Sequence, residues 1–337
     1  MQDVLVNEKE LRTLISKKLR EAGLMESHAE KVADVLVHAD LRGVRSHGVI
    51  RTEHYVKRLH AGSLNKDPQF GFEKIRSGSG LFDADDGMGH VACDLAMGHC
   101  LTLAKEAGIG MVGVHNGSHC GALSYFVLQA VRKGLIGIAI THTDKIVAPY
   151  GSSKPFFGTN PIAFGFPTRK HKPVVLDMAT SHIAYGKILH ARQAGKPIPD
   201  DWGFDGSGFP TTDPNKVEAM TPFGQYKGYG IAMAIDVLTG VLLGAQFGPH
   251  ITAMYGDYDQ PRKLASMMLA IDPETFAGLD RFMSQMDAMV EEIHGLPAGP
   301  GFDSVLIAGD IEWENEKRNR IEGVPVLDSI YEFLKNG

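Results

Sequence analysis

The pattern of apolar and polar positions divides the chain into two regions. Over the first 62 residues, apolar residues recur at the three- and four-residue spacing that is typical of amphipathic helices. Asn7 is the expected cap of the first helix, Gly23 ends it, and a second helix runs to Gly43. Ser46 is the expected cap of a third helix, which runs to about Leu59. We therefore predict a helical N-terminal part.

From about Phe72 onward, short apolar runs alternate with segments of helical period. This alternation predicts an α/β sheet domain. The predicted strands are 80–84, 110–114, 136–140, 162–166, 174–176 and 263–271, and the predicted helices are 90–107, 122–132, 228–243, 273–294 and 328–335. We expect residues 1–70, joined by 300–337, to form the helical part, and residues 71–299 to form the α/β cofactor-binding domain.

Composition and charge exclude several classes of partner. The 337 residues carry a formal net charge of −6 and no run of Lys or Arg, so no nucleic acid partner is expected. No apolar run approaches the roughly 20 residues that a membrane span needs. The start of the chain lacks the basic flank and apolar stretch of an export signal. The 3 cysteines form no Cys-x-x-Cys pair, which favours a reducing compartment, and we predict a cytoplasmic protein.

Residues 87–92, Gly-Met-Gly-His-Val-Ala, match the G-x-G-x-x-A pattern of dinucleotide-binding loops. Two observations count against that function. The next predicted strand is followed by His115 and Asn116, where the pattern requires an acid for a ribose hydroxyl. Asp85 and Asp86 stand directly before the glycines and would repel a pyrophosphate. We interpret the segment as a tight strand-to-helix turn.

His47, Arg51 and Tyr55 are spaced four residues apart, so on a helix they share one face. An imidazole, a guanidinium and a phenol on one stripe suit a small carboxylate substrate, because a guanidinium binds a carboxylate through two hydrogen bonds. A solvated helix face is the alternative, since Glu53 and Lys57 belong to the same segment. Spacing alone does not separate the two interpretations.

His119 follows one predicted strand, and Thr143 and Asp144 follow the next. Ligands bind at the carboxyl ends of strands in α/β sheets, so His119 is a candidate general base. We expect Asp144 to approach it, fix its tautomer and stabilise its protonated form. A capping or structural histidine is the alternative. Cys120 is not expected to pair with His119 as a nucleophile, since adjacent side chains rarely face each other.

Further short segments suit a cofactor or a pocket wall. Asp177 ends a predicted buried strand, where its carboxylate can accept from a ribose hydroxyl; capping the next helix is a compatible role. Lys227 and Gly228 open an apolar helix and offer a cation and free N–H groups to a phosphate. Thr159 and Asn160 lie in a turn of small residues. There is no Walker P-loop and no zinc-protease His-Glu-x-x-His sequence, and no metal is expected.

Taken together in chain order, these segments resemble the type-2 malate/L-lactate dehydrogenase family. The matching strings span nearly the whole chain: Ser46-His47-Gly48 with Arg51 and Tyr55, His119 with Gly121, Gly158-Thr159-Asn160-Pro161, Asp177-Met178-Ala179-Thr180 and Lys227-Gly228-Tyr229-Gly230. Three longer strings, residues 121–127, 208–214 and 235–244, resemble one member of the family in particular. The chain departs from the family at Gln225 and Tyr226, where a second glycine often stands, and in the strongly charged region after Gly309.

The resemblance implies a mixed-sheet nicotinamide-binding domain that is not a Rossmann fold, and a homodimeric, NAD-dependent oxidoreductase of small 2-hydroxy acids; NADP is the alternative cofactor. By position, His119 is the proton acceptor, with His47 and Asp144 beside it. The implied substrate-site residues are His47, Arg51, Tyr55, Thr159 and Asn160. The implied cofactor contacts are Thr143, Asp177, Met178, Ala179, Lys227, Gly228, Gly309, Asp310 and Ile311. The substrate alternatives are malate, lactate, sulfolactate, or a 2-oxo or imino acid that is reduced; a non-catalytic ligand-binding protein on the same fold is the alternative of another class.

Overall fold

The computed structural model describes residues 3–336; Met1, Gln2 and Gly337, which the predicted helical part includes, lie outside them. The helices are α1 Glu8–Glu21, α2 Glu26–Leu41, α3 Thr52–Ala61, α4 Gly89–Ala107, α5 Ser124–Val131, α6 Tyr185–Ala194, α7 Tyr226–Asp236, α8 Leu279–His294, α9 Asp310–Glu322 and α10 Asp328–Lys335. The strands are β1 Asp3–Val6, β2 Gly71–Arg76, β3 Ser79–Asp83, β4 Ile109–Gly117, β5 Ile136–Thr141, β6 Ile162–Phe166, β7 Val174–Met178, β8 Gly203–Phe204, β9 Ala219–Met220, β10 Leu264–Ile271 and β11 Val324–Leu327. None of the described helices is both long and apolar enough to cross a bilayer.

A seven-stranded mixed sheet in the order β2-β3-β4-β10-β5-β6-β7 forms the centre of the fold. Only the β3–β4 pair of this sheet is parallel, and the remaining neighbours are antiparallel. Helices α4 and α5 cover one face, and their apolar side chains make a dry core with those of the strands. The predicted mixed-sheet α/β fold is confirmed.

The topology of this sheet brings one set of strand ends to a single edge. Because β4 and β5 both run antiparallel to β10, their carboxyl ends lie at the same edge, where β10 begins. The start of β6 and the end of β7 also lie there, since Ile162 pairs with both Ile140 and Met178. Residues that follow β4, β5 and β7, or precede β6 and β10, are therefore neighbours in space although they are distant in sequence.

The N-terminal helices make a second core with the end of the chain. Leu11, Ile15 and Leu19 on α1 are fully buried, and Asn7 caps this helix by accepting a hydrogen bond from the N–H of Lys9. Strand β1 pairs antiparallel with β11, and α10 packs on α1. Helix α9 lies on α2, where Asn319 donates to the carbonyl oxygen of Leu41 at 2.9 Å.

The glycine loop of residues 87–92 is a packed strand-to-helix turn, as interpreted from the sequence. The N–H of Gly89 donates to Oγ of Ser118 at 2.8 Å, and a Cβ on Gly89 would lie 2.2 Å from the carbonyl oxygen of Ser118. A Cβ on Gly87 would lie 2.8 Å from Pro68. These contacts occupy the space that a pyrophosphate would need.

Three local predictions need correction. Ser46 does not cap a helix, because residues 45–51 form two 3-10 turns, Arg45–His47 and Val49–Arg51, before α3 begins. The predicted helix 228–243 is α7 followed by a π-helical turn at Val237–Val241. Helix α9 and strands β1, β2 and β11 were not predicted.

Candidate active site

A pocket opens at the shared strand edge, and its empty space, including the part open to solvent, is about 940 Å³. Six residues of the predicted site line it: His47, Arg51, His119, Thr143, Asp144 and Thr159. Ala179 of the predicted cofactor set lines it as well. Arg51 and His119 are distant in sequence but line the same pocket, and Tyr55 of α3 contacts His119, two residues after β4.

His119 is held by a phenol. The hydroxyl of Tyr55 lies 2.7 Å from Nδ1 of His119, which leaves Nε2 as the ring nitrogen available to the pocket. The Tyr55 ring is 2% exposed, so it supports His119 from behind and does not line the cavity. The His47 ring stacks against the His119 ring, with centroids 5.6 Å apart and planes 24° apart.

His47 and Arg51 line the pocket and Tyr55 lies behind it, but the three do not form one helical stripe. His47 belongs to the first 3-10 turn, Arg51 ends the second, and only Tyr55 lies in α3. The solvated-face alternative does not hold for these three side chains, because Tyr55 is buried and the other two are partly buried in the pocket wall. The four-residue spacing correctly predicted that these side chains lie near one another, but it predicted a single helix where the backbone forms two 3-10 turns and then α3.

Arg51 is oriented by three contacts that leave part of its guanidinium group unoccupied. Its Nε donates to the carbonyl oxygen of Ser46 at 2.7 Å, which fixes the plane of the guanidinium group, a fork of N–H donors. Its Nη1 donates to the hydroxyl of Tyr255 and approaches Sδ of Met254 at 3.9 Å. Within residues 3–336, Nη2 has no hydrogen-bond partner. Because the Tyr255 oxygen accepts from Arg51, its own hydrogen is free to extend the fork toward a carboxylate.

Asp144 does not approach His119 as predicted. Its Oδ1 pairs with Nη2 of Arg262 at 2.5 Å, and its Oδ2 accepts from the N–H of Met254 at 3.1 Å. Arg262 is 3% exposed and also donates through Nε to the carbonyl oxygen of Thr252. The partner expected for His119 was a carboxylate, and the structure supplies the Tyr55 hydroxyl instead.

The histidines of the site are held in the neutral form. Burial is the main reason that the pKa of His119 lies well below its usual value, and the nearby His47, Arg51, His90 and Arg262 lower it further. Burial, followed by the charge of Arg51, lowers the pKa of His47 to about 4. A carboxylate partner would have raised the pKa of His119. The phenol permits a neutral ring, and a neutral ring can accept a proton at physiological pH.

Another wall of the pocket is held by hydrogen bonds between short side chains and the backbone. Oγ1 of Thr143 accepts from the N–H of Thr159 at 3.0 Å. The side chain of Asn160 is fully buried: its Oδ1 accepts from the N–H of Thr143 at 3.1 Å, and its Nδ2 donates to the carbonyl oxygen of Ala232 at 3.0 Å. Asn160 therefore braces the wall and does not face the cavity, whereas Thr143 and Thr159 line it.

The other predicted cofactor residues form a group beyond the pocket along β7. Asp177 and Met178 end this strand, two residues and one residue before the pocket-lining Ala179. The segment that contains Gly309, Asp310 and Ile311 begins beside the same strand, where the N–H of Val175 donates to the carbonyl oxygen of Ala308 at 3.0 Å.

Lys227 and Gly228 open α7, and the preceding Phe223 bonds through its N–H to the carbonyl oxygen of Thr180, directly after Ala179. The side chain of Lys227 is exposed, whereas Gly228 is buried against the backbone of Phe223. These placements bring the start of α7 to the end of β7.

Asp177 does not cap α6, the alternative role considered for it. That helix has no side-chain cap, and Oδ2 of Asp177 instead accepts from the N–H of Ser124, at the start of α5, at 2.7 Å. Desolvation by the surrounding protein raises the pKa of Asp177, although the residue is exposed to solvent. Its second oxygen remains able to accept from a ligand hydroxyl.

Tyr255, Met254 and Arg262 line the pocket but were not singled out in the sequence. They lie about two hundred residues after Arg51 in a segment without periodicity, so no local pattern marks them. Aromatic residues followed by an arginine shortly before strand β10 were the available signal. Among the described residues, no group of three or more His, Cys, Asp or Glu side chains is arranged to hold a metal ion.

The pocket fits a nicotinamide ring beside a small acid. Ile146, Pro161 and Leu264 give it apolar surface for the face of a flat ring, and Gly186 faces it without a side chain. The Thr143 hydroxyl accepts from protein, so its hydrogen can be donated to a carboxamide oxygen. The guanidinium of Arg51 and the imidazole of His119 provide the polar end.

Comparison with known proteins agrees with this arrangement. A family model described as malate/L-lactate dehydrogenase matches residues 6–335. A ureidoglycolate dehydrogenase (NAD(+)) of Escherichia coli is 40% identical over 329 residues, which cover 98% of this chain and 94% of the relative. An L-sulfolactate dehydrogenase of Methanothermobacter thermautotrophicus is 37% identical over 95% of this chain and 92% of the relative. The solved structure of sulfolactate dehydrogenase from Methanocaldococcus jannaschii superposes with a TM-score of 0.92 at 35% identity, covering 98% of this chain and 96% of that one.

Proposed function

The chain belongs to the malate/L-lactate dehydrogenase family, and on that premise we propose that it oxidises ureidoglycolate to oxalurate with NAD. It is an NAD(P)-dependent oxidoreductase that acts on a 2-hydroxy acid. The observation that carries the proposal is the convergence of the Arg51 guanidinium and Nε2 of His119 on one pocket. The 40% identity to the ureidoglycolate dehydrogenase of Escherichia coli, and the three strings at 121–127, 208–214 and 235–244, support this particular substrate.

In the proposed mechanism, the Arg51 fork binds the substrate carboxylate, and Tyr255 donates its hydroxyl hydrogen to the same group. His119 accepts the proton of the substrate hydroxyl at Nε2. For this to occur, Nδ1 must carry a hydrogen, which it donates to the oxygen of Tyr55, and the ring becomes an imidazolium with both hydrogens bonded. The bound cofactor supplies the acceptor for the hydride that leaves the carbinol carbon. In the reverse direction, the same Nε2–H protonates the carbonyl oxygen of a 2-oxo acid.

The charge of the pocket supports a substrate with a single negative charge. The guanidinium groups that line it are those of Arg51 and Arg262, and the charge of Arg262 is balanced by Asp144. His47 and His119 are neutral because burial lowers their pKa. One uncompensated positive charge matches one carboxylate, whereas malate and sulfolactate carry a second anionic group that would be desolvated without a partner. Ureidoglycolate has a neutral ureido end.

The residues proposed to hold the cofactor extend from the pocket to the end of β7, and we call this stretch the cofactor recess. Thr143 and Ala179 would contact the nicotinamide end, and Asp177 a ribose hydroxyl, with Met178 between them. The remaining proposed contacts are Lys227, Gly228, Gly309, Asp310 and Ile311. A carboxylate at Asp177 favours NAD over NADP, because a 2′-phosphate beside it would be repelled. The unpaired cysteines support the proposed cytoplasmic location.

The substrate is tested by measuring NADH absorbance with NAD and a panel of hydroxy acids. We expect the highest kcat/KM with ureidoglycolate, a lower value with lactate, and the lowest values with malate and sulfolactate. Preference for malate or sulfolactate would select the alternative dehydrogenases, and reduction of a 2-oxo or imino acid without oxidation of any hydroxy acid would reverse the assigned direction. Ligand binding without any change in absorbance would favour the non-catalytic alternative. The same assay with NADP measures the cofactor preference.

We further propose that a second copy of the chain packs on the apolar face of α7 and the π-helical turn. Residues 226–244 contain two charged side chains, of which Asp236 is buried. Seven large apolar side chains of this region are exposed: Tyr226, Ile231, Met233, Val237, Leu238, Val241 and Leu242. A contiguous apolar surface of this kind is typical of homodimer interfaces. The face begins at Lys227 and Gly228, so a partner here would also adjoin the proposed cofactor recess.

A further inference from the structure

A glycine joins the two turns that carry His47 and Arg51. The first turn is closed by the N–H of Gly48, which donates to the carbonyl oxygen of Arg45 at 3.2 Å, and the second by Arg51, whose N–H donates to the carbonyl oxygen of Gly48 at 3.0 Å. The N–H of Val49, at the start of the second turn, instead donates to Oδ2 of Asp40 at 2.6 Å. A side chain from α2 therefore holds the joint between the two turns.

The Asp40 carboxyl group fills the space beside this joint. A Cβ on Gly48 would lie 1.9 Å from Oδ1 of Asp40, so the carboxyl group and the Gly48 backbone are in direct contact. Asp40 is 2% exposed. Any residue larger than glycine at position 48 would displace the carboxyl group or open the angle between the turns.

Stability alone does not account for a carboxylate in this place. Arg45 is the charged group that faces Asp40 from the loop, and both of its terminal nitrogens bind Asp3. From α9, Asn319 contacts the backbone carbonyl oxygen of Asp40 and not its carboxyl group. Burial accordingly raises the pKa of Asp40 to about 7, with the Val49 N–H and Arg45 acting weakly in the opposite direction. A buried charge without an ion-pair partner costs folding free energy.

We propose that Asp40 is a positioning residue of the substrate site, which sets the angle between the turn bearing His47 and the turn bearing Arg51 by binding Val49 and abutting Gly48. The negative charge strengthens the hydrogen bond from the Val49 N–H and adds a favourable interaction with the start of the helical segment that delivers Arg51 and Tyr55. This inference rests on the proposed function, because it assigns Asp40 to the carboxylate-binding side of that site.

The test is Asp40→Asn, which keeps the shape and an acceptor for Val49 but removes the charge. We expect kcat/KM for the hydroxy acid to fall roughly five- to tenfold, mainly through KM, since hydrogen bonds to charged groups are about twice as strong as neutral ones. The dissociation constant of NAD should not change. The control is Asp34→Asn on the same helix, whose partner is the partly exposed Arg12, and its kcat/KM should equal that of the wild type.

The melting temperature separates positioning from a structural role. A carboxyl group whose pKa is raised on folding makes the folded state lose stability as pH rises from the unfolded value, near 4, to about 7. Asp40→Asn should therefore melt at pH 8 no lower than the wild type, while its KM is higher. A purely structural residue would lower the melting temperature without a selective effect on KM. An unchanged kcat/KM in Asp40→Asn overturns the proposal.

The wild-type enzyme gives a second measurement if Asp40→Asn does not fold. Its KM for the hydroxy acid should decrease as pH rises from 6 to 8, because Asp40 gains its charge in this interval and His47 and His119 do not titrate there. A KM that is flat over this interval contradicts the proposal. If the wild type oxidises no hydroxy acid at all, the proposed function itself has failed, which is a distinguishable result.

Discussion

The Tyr55 hydroxyl lies 2.7 Å from Nδ1 of His119, and no carboxylate takes that place. A carboxylate would stabilise the imidazolium and hold the proton after the first transfer. A phenol accepts from Nδ1–H in both protonation states and adds no charge, so it does not raise the pKa of the ring, which burial holds well below its usual value. This relationship suits a base that must release its proton in every turnover and that can run in both directions.

Tyr55→Phe removes the oxygen that accepts from Nδ1 and should lower kcat about five- to tenfold, the effect of one neutral hydrogen bond, with a small change in KM. The measurement is steady-state oxidation of the hydroxy acid. Tyr125→Phe, in which the lost hydroxyl contacts Lys31 away from the pocket, should keep the wild-type kcat. A Tyr55→Phe enzyme with unchanged kcat would mean that the phenol does not orient His119 for catalysis.

Arg51→Lys keeps the positive charge but loses the planar fork and the bond from Nε to the Ser46 carbonyl oxygen. We expect KM for the hydroxy acid to rise about tenfold or more, since a point charge replaces two directed hydrogen bonds, with a smaller decrease in kcat. The exposed Arg281→Lys is the matched control and should behave as the wild type. Equal KM values for Arg51→Lys and the wild type would remove Arg51 from the carboxylate site.

The sequence predicts those elements of the fold that are determined by a local pattern of residues, and it misses those that depend on contacts with distant parts of the chain. Strands β5 and β6 and helix α4 were predicted within one residue of their observed bounds, because each is a regular apolar pattern between turns. Helix α9 was missed because its sequence, Asp-Ile-Glu-Trp-Glu-Asn-Glu-Lys-Arg-Asn-Arg-Ile-Glu, has no apolar stripe, and a partner surface on α2 stabilises it. Strands β1 and β11 are each four residues long and exist only as a pair.

The site shows the same limit. His47, Arg51 and His119 were recognisable from residue type and from the ends of predicted elements. Asp144 pairs with Arg262, which lies 118 positions later in the sequence. No local pattern shows that this carboxylate binds Arg262 and not the predicted partner, His119. The two 3-10 turns around Gly48 are held by Asp40 from the preceding helix. The prediction from spacing alone, a regular helix starting at Ser46, was therefore wrong for this segment.

The burial of His90 predicts how the free energy of unfolding depends on pH. It is fully buried beside Tyr55, neither ring nitrogen has a protein partner in residues 3–336, and burial, then His47, lowers its pKa to about 3. The unfolded chain takes up this proton near pH 6.5 and the folded chain does not, so the free energy of unfolding should fall as pH decreases from 6.5. His90→Gln should make urea unfolding less dependent on pH between 6.5 and 4, whereas the exposed His190→Gln should not. An unchanged pH dependence in His90→Gln would contradict this account.

The proposed dimer face is tested by introducing a charged side chain into it. Leu242 is 57% exposed on the π-helical end of the apolar face, so Leu242→Glu would place a carboxylate in the interface. Sedimentation should show a dimeric wild type and a monomeric variant with the same circular dichroism. Leu296→Glu alters a residue of equal exposure, 57%, after α8 and should leave the dimer intact. A monomeric wild type, or a Leu242→Glu variant that remains dimeric, would reject this interface.

The most direct test of the central claim is oxidation of ureidoglycolate by the His119→Ala variant, followed by NADH absorbance alongside a measurement of NAD binding. If His119 is the general base, kcat should fall by about 10²–10⁴, the typical contribution of such a group, while the dissociation constant of NAD stays close to that of the wild type. A variant that binds NAD normally and still turns over ureidoglycolate at a near wild-type rate would contradict the assignment of His119 and the mechanism built on it.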